Sequence, residues 1–123
     1  MLRHADVALI AVDITASVNY SSHVIEVLKT ALFVKWLREL RDLRARARIQ
    51  IRIDRLALGN PGDWKSVGEG VREMRVDYGP GYRVYFTQRG QKLALLLCAG
   101  DKSSQDADIA RAGDLAKEWN NGP

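Results

Sequence analysis

The chain has one cysteine, two histidines and no apolar run long enough to cross a bilayer, and each shortage closes off a class of protein. The lone Cys98, inside Leu95-Leu96-Leu97-Cys98-Ala99, cannot form a disulfide within the chain, which fits a reducing cytoplasm. No glycine-rich loop ends in Lys-Ser or Lys-Thr to cradle a nucleotide phosphate. No cysteine pair and no His/Asp/Glu spacing suits a metal, so neither cofactor nor metal is expected. The run Val7-Ala8-Leu9-Ile10-Ala11-Val12 follows Arg3 and His4 but is closely bracketed by Asp6 and Asp13 and lacks a proper h-region. It does not read as a signal peptide, and no membrane is expected as partner.

What is present fits one soluble domain. The 123 residues are enough for a single core and too few for two, and 46% hydrophobic with 28% charged residues is the balance of a folded chain. The net charge of +4 makes an anionic partner plausible. Its placement says more: Lys35, Arg38, Arg41, Arg44, Arg46, Arg48, Arg52 and Arg55 outnumber Glu39, Asp42 and Asp54. That stretch is a candidate docking surface, with a solvated helix face as the plainer reading.

Val24 to Lys29, rich in β-branched residues, predicts a strand, and Thr30 an N-cap. Phe33, Trp36, Leu37 and Leu40 then recur at helical spacing. Leu43 to Leu58 is ambiguous, because Leu43, Ala45, Ala47, Ile49, Ile51 and Ile53 alternate as a half-buried strand would. Its length, its helix-forming residues and the stripe Ala45, Ile49, Ile53, Leu56 favour a helix, ended by Gly59-Asn60-Pro61-Gly62. Arg72–Asp77, the turn Tyr78-Gly79-Pro80-Gly81 and Tyr82–Thr87 predict a hairpin. Lys92–Cys98 predicts a central strand covered on both faces. A last helix is expected from Ser103, with Asp106 in a capping-box-like position and Ile109, Ala112, Ala116 and Trp119 on one face. The order strand, two helices, three strands, helix defines an α+β domain around an antiparallel sheet.

Alternation sets Met74 and Val76 on one sheet face and Glu73, Arg75 and Asp77 on the other, with Tyr82, Val84 and Phe86 opposing Arg83 and Tyr85 across the hairpin. One face is expected to be apolar and the other charged, with Glu73, Arg75, Arg83 and Tyr85 on a common concave surface.

Five strings in order carry a resemblance: Ile25-Glu26-Val27-Leu28-Lys29-Thr30, Gly62-Asp63-Trp64-Lys65-Ser66-Val67-Gly68, Glu73-Met74-Arg75, Gly79-Pro80-Gly81-Tyr82-Arg83-Val84-Tyr85-Phe86 and Gly100-Asp101-Lys102-Ser103-Ser104-Gln105-Asp106. The chain from Val24 to Trp119 resembles the HigB-like branch of the RelE/ParE toxin superfamily, the phage-derived Gp49-like addiction module killer proteins. The resemblance implies two N-terminal helices and a C-terminal helix packed on a twisted, mainly antiparallel sheet. It also implies a bacterial cytoplasm and a cognate antitoxin of helix-turn-helix type, through which alone operator DNA would be bound. The toxin domain is expected over residues 24–120. Residues 1–23 then form an extension, read in two ways: Val24 is the true start, encoded by GTG, or the extension is real and loosely ordered. An intact mass that includes Met1 rules out the late start.

Metal-free cleavage of RNA needs the ribose 2′-hydroxyl deprotonated, charge on the in-line phosphorane stabilised and the leaving 5′-oxygen protonated. The resemblance points to Arg83 as the guanidinium that clamps the scissile phosphate, with Arg75 as the second. Pattern alone would leave each as a solvated strand arginine, or as one paired with Glu73 or Asp77. Lys65 and Lys102 match positions where related toxins carry basic site residues. Glu73 and Asp63 are the available carboxylates, Glu73 as a base or as the residue that orients Arg75. Tyr82 and Tyr85 are candidates to stack on an unpaired base, against the plainer reading that strand aromatics pack. His4 and His23 precede the matched stretch and are excluded as the catalytic acid, a departure from relatives that use histidine there.

The first reading is therefore an mRNA endoribonuclease acting at the translating ribosome. The same fold in ParE-type relatives poisons DNA gyrase, which needs no phosphate chemistry, and a decayed toxin that only binds its antitoxin is a third reading.

Overall fold

A computed structural model describes residues 9–11 and 24–121. The elements run β1 (Leu9–Ala11), β2 (Glu26–Thr30), α1 (Ala31–Glu39), α2 (Leu43–Ala57), β3 (Trp64–Gly68), β4 (Val71–Val76), β5 (Tyr82–Arg89), β6 (Leu93–Asp101), a 3-10 turn (Lys102–Ser104) and α3 (Gln105–Asn121). The strands form one sheet in the order β1-β2-β6-β5-β4-β3. Only β2 and β6 run parallel; every other neighbouring pair is antiparallel. This is the expected α+β architecture with three helices on a mainly antiparallel sheet.

Helices α1 and α2 start where a side chain can satisfy their free N–H groups. Thr30 accepts from the Phe33 N–H at 3.1 Å and donates its hydroxyl to the Leu97 carbonyl at 2.6 Å, so one buried residue caps α1 and ties it to β6. Asp42 caps α2 by accepting from the N–H groups of Arg44 and Ala45. The ambiguity over α2 is resolved by which residues are buried: Ala45, Ile49, Ile53 and Leu56 face the sheet, while Leu43 and Ile51, which a strand would have buried with them, are exposed. Burying each large aliphatic side chain of that stripe is worth about 1.5–3 kcal/mol, more than the backbone preference of any one residue.

α1 and α2 cover one face of the sheet, packing Phe33, Ile49 and Leu56 against Val27, Met74, Val84, Phe86 and Leu96. α3 covers the other, where Ala112, Leu115, Ala116 and Trp119 meet Val71, Tyr85, Leu95 and Leu97. β6 lies between them, covered on both faces as its unbroken apolarity requires.

Three expectations need correction. The face carrying Glu73 and Tyr85 is not an open charged surface, since α3 packs a second apolar cluster over most of it. A strand at Trp64–Gly68 was not expected: it is five residues long, mostly exposed and without apolar alternation. It turns into β4 through Gly68, Glu69 and Gly70, all at positive φ, a conformation that the two glycines adopt without steric cost. Before α3, Asp101 rather than a Ser103/Asp106 box makes the cap, accepting from the Ser103 N–H at 2.8 Å, and the helix proper starts at Gln105. Residues 9–11, inside the stretch read as an extension, pair antiparallel with β2. The rest of residues 1–23 lies outside the described residues, as does His23.

Candidate active site

The cross-strand register assembles the site. Lys65 on β3 pairs with Glu73 on β4, and Glu73 with Tyr85 on β5; one step along, Arg75 pairs with Arg83, and Arg83 with Gly100 on β6. Period-two alternation points all of these side chains to the α3 face. On β6 the phase is kept by a bulge. Tyr85 pairs with Cys98 and Phe86 with Leu96, which leaves Leu97 as an extra residue, so that Cys98 and Gly100 face α3 after it as Leu95 does before it.

At the centre is Glu73, whose side chain is 0% exposed, ringed by cations at 48% (Lys65), 38% (Arg75) and 13% (Arg83). Its Oε1 accepts from Arg75 Nε at 3.3 Å and lies 4.0 Å from Lys65 Nζ. Its Oε2 accepts from the Tyr85 hydroxyl at 3.0 Å and from Gln105 Nε2 at 2.9 Å, with Arg83 Nε at 3.6 Å. Three positive groups and two neutral donors thus surround one buried carboxylate, the condition under which burial of a charge is tolerated. Arg83 is held further by Nη1 donating to the Gly81 carbonyl at 3.2 Å. A Cβ placed on Gly81 would lie 3.5 Å from Arg83 Nη1 and 3.9 Å from Lys102 Cβ, so the Lys102 stem borders the same end of the sheet.

Tyr85 titrates well above the ordinary tyrosine range, first because it is buried and then because Glu73 is negative beside it. It stays a neutral donor to the carboxylate.

Sequence-derived site residues divide accordingly. Glu73, Arg75, Arg83 and Lys65 come together, with Lys102 at their border. Glu73 does not reach the surface, so a substrate hydroxyl has no direct path to it. Tyr85 is buried beneath the cations, and Tyr82 is on the opposite face, packed edge-on against Trp36 with ring centroids 6.0 Å apart. Neither ring is open to a base, which corrects the stacking reading for both. Asp63 contributes its backbone: its carbonyl accepts from the Arg75 N–H at 2.9 Å and from Arg52 Nη2 at 3.2 Å.

Two residues were missed. Gln105 stood within one of the matched strings but was given no role, since a glutamine at a helix start has no distinctive pattern. Arg52 was counted in the basic docking run of α2. Instead it turns onto the site's backbone, donating to the carbonyls of Arg75, Pro61 and Asp63. Gly62, at φ +72°, lies against that guanidinium, and a Cβ there would sit 2.9 Å from Arg52 Nη2 and push the Arg52 side chain aside.

Among the described residues no group of three or more His, Cys, Asp or Glu side chains is placed to hold a metal ion, and no helix is long and apolar enough to cross a membrane.

Cations from three neighbouring strands cluster over a buried acid at one end of the sheet of this small basic α+β protein. Residues 35–118 match the family model of the phage-derived Gp49-like proteins, and the chain belongs to that family, which is associated with addiction module killer toxins. It is also 51% identical over 94 residues to an uncharacterised protein of Haemophilus influenzae (strain ATCC 51907 / DSM 11121 / KW20 / Rd), a match that covers 76% of this chain and 95% of that protein.

Proposed function

We propose that the chain is the toxin of a type II toxin-antitoxin pair, of the HigB-like branch of the RelE/ParE superfamily, and that it cuts mRNA at the translating ribosome. The observation that carries this reading is the convergence of Arg75 and Arg83 on the two oxygens of one carboxylate, at a partly open end of the sheet beside Lys65. Glu73 draws in the Nε atoms, and the Arg75 Nη groups and Arg83 Nη2 remain to meet a phosphate, Arg83 Nη1 being taken by the Gly81 carbonyl.

In this reading Arg83 and Arg75 clamp the scissile phosphodiester and stabilise charge as the 2′-oxygen, its proton passing to solvent water, attacks phosphorus in line. The P–O5′ bond breaks, leaving a 2′,3′-cyclic phosphate and a 5′-hydroxyl. Lys65 and Lys102, ammonium groups at the rim, supply charge and a proton for the leaving oxygen. Asp63 borders the path of the RNA. Glu73 acts by orienting the cations.

Expression is held in check by a helix-turn-helix antitoxin from an adjacent gene, which carries the pair onto operator DNA. The exposed arginines of α1 and α2 are available for that partner or for ribosomal RNA.

The test is induced expression without the antitoxin, followed by primer extension on cellular mRNA. Discrete new 5′ ends support the nuclease. Intact transcripts with induction of the DNA-damage response support gyrase poisoning, and no growth defect supports a toxin that only binds its antitoxin. Arg83→Ala should relieve toxicity at equal abundance; full toxicity would remove Arg83 from the site.

A further inference from the structure

We propose that Gln105 is a positioning residue: by occupying Oε2 of Glu73 it keeps Arg83 from closing onto that carboxylate and so leaves the Arg83 guanidinium free for a substrate phosphate. This rests on the reading of the site as a phosphodiester clamp.

The carboxylate is approached unequally on its two sides. On Oε1, Arg75 Nε makes a hydrogen bond at 3.3 Å. On Oε2, Arg83 Nε stops at 3.6 Å, and among the described residues it is the buried side-chain nitrogen that has no hydrogen-bond partner. The positions it would take are filled by Gln105 Nε2 at 2.9 Å and the Tyr85 hydroxyl at 3.0 Å. A buried donor left unpaired is costly, so this arrangement persists only because the surrounding structure holds it.

The hold comes from two elements. Tyr85 is fixed as the cross-strand partner of Glu73, and Gln105 is delivered by the first turn of α3. That turn sits close because the residue opposite Arg83 is Gly100, where a Cβ would fall 2.0 Å from Asp108 Oδ2 and 2.6 Å from Ser104 Oγ. Ser104 Oγ donates to Asp108 Oδ2 at 2.5 Å, which locks the helix start over the glycine.

With both amide and phenol in place, Oε2 has its acceptor positions filled by neutral groups. Arg83 is then held by charge and by the Gly81 carbonyl, without a closed ion pair. Remove the amide, and Arg83 Nε has both a vacant acceptor and a reason to move. A guanidinium committed to Glu73 has less charge and fewer donors to offer a phosphate.

The experiment compares wild type with Gln105→Leu, which keeps the side-chain bulk and removes the donor, and with Gln105→Glu, which puts a second carboxylate beside Oε2. Two readouts are used. The first is binding of an RNA oligonucleotide carrying a 2′-deoxy residue at the cleaved position, which cannot be cut. The second is the proton resonance of Arg83 Nε–H in labelled protein without RNA, which moves downfield when that group gains a hydrogen bond.

For Gln105→Leu we expect affinity for the uncleavable RNA to fall about tenfold or more and the Arg83 Nε–H resonance to move downfield, with circular dichroism unchanged. Gln105→Glu should draw Arg83 in more strongly and lower affinity further. An unmoved Arg83 resonance in Gln105→Leu overturns the proposal whatever the RNA does. A moved resonance with wild-type RNA affinity overturns the link to substrate. If wild type itself binds no RNA, free or on ribosomes, the nuclease reading fails while the resonance still reports on Gln105.

Discussion

Arg75 and Arg83 face one another across β4 and β5 and reach the same carboxylate from opposite sides, one Nε at 3.3 Å from Oε1 of Glu73 and the other at 3.6 Å from Oε2. Two like charges on adjacent strands repel, and cross-strand pairs of one sign destabilise a sheet. The buried acid beneath them removes that penalty and turns the pair into a fixture. Substituting Glu73 should therefore cost more than substituting either arginine. We expect Glu73→Ala to lower stability by about 3–5 kcal/mol, as for a broken buried ion pair, read from the midpoint of urea unfolding. A loss below about 1 kcal/mol would mean that the cations are not held by the carboxylate.

Arg52 gives a second expectation. Its guanidinium ties α2 to the carbonyls of Arg75, Pro61 and Asp63, and Asp63 in turn accepts the Arg75 N–H at 2.9 Å. Arg52→Ala should destabilise by at least about 2 kcal/mol, since hydrogen bonds from a charged donor contribute about 1.5–3 kcal/mol each. Hydrogen exchange at the Arg75 amide should quicken in the variant. An exchange rate equal to wild type would show that Arg52 does not secure this strand.

At Gly100 the expectation concerns space. Gly100→Ala forces Asp108 and Ser104 aside, and overpacking of this kind costs about 1–3 kcal/mol. The displaced first turn of α3 should also loosen the Gln105 contact to Glu73. Thermal melting of Gly100→Ala against Gly113→Ala, at a site where a Cβ meets nothing within 4 Å, isolates the effect.

Alkaline pH tests the second core. Burial pushes the Cys98 thiol up from 9.0 to about 12, and Tyr85 shifts in the same direction. Both groups keep their protons in the folded state where the unfolded chain has lost them. Stability from Cys98 is therefore full below pH 9 and lost as pH rises through about 12. Melting temperatures should fall across that window, less steeply in Tyr85→Phe. Near neutral pH the native thiol should resist iodoacetamide and react once the protein is unfolded; rapid native labelling would contradict its burial.

Salt dependence reports on the rim. If Lys102 meets an RNA phosphate, Lys102→Ala should lower the slope of log affinity against log salt by roughly 0.7, the value for one phosphate contact on a single strand. An unchanged slope would take Lys102 out of the binding surface.

Much of this architecture was legible because local patterns agreed with what the fold buries. The Ala45, Ile49, Ile53, Leu56 stripe and the apolar run of β6 each state their own environment. Alternation along β4 and β5 also placed Glu73, Arg75 and Arg83 on one side. It could not say that α3 would roof that side and bury Glu73 and Tyr85, because period-two alternation assigns faces without saying what covers them. β3 escaped notice because an exposed edge strand has no apolar face to show. Arg52 and Gln105 were illegible for a related reason: their roles are fixed by backbone carbonyls and a carboxylate that are distant in sequence.

The charged hub is assembled from ladder partners on adjacent strands and not from loop tips. Such a platform has no backbone hinge, since the chain positions that carry its members shift only if hydrogen-bonded strands separate. Silencing it by bending it out of shape would mean unzipping the sheet, so an inhibitor has the cheaper course of lying across it as a shield, and removal of that shield would restore a surface already fully formed.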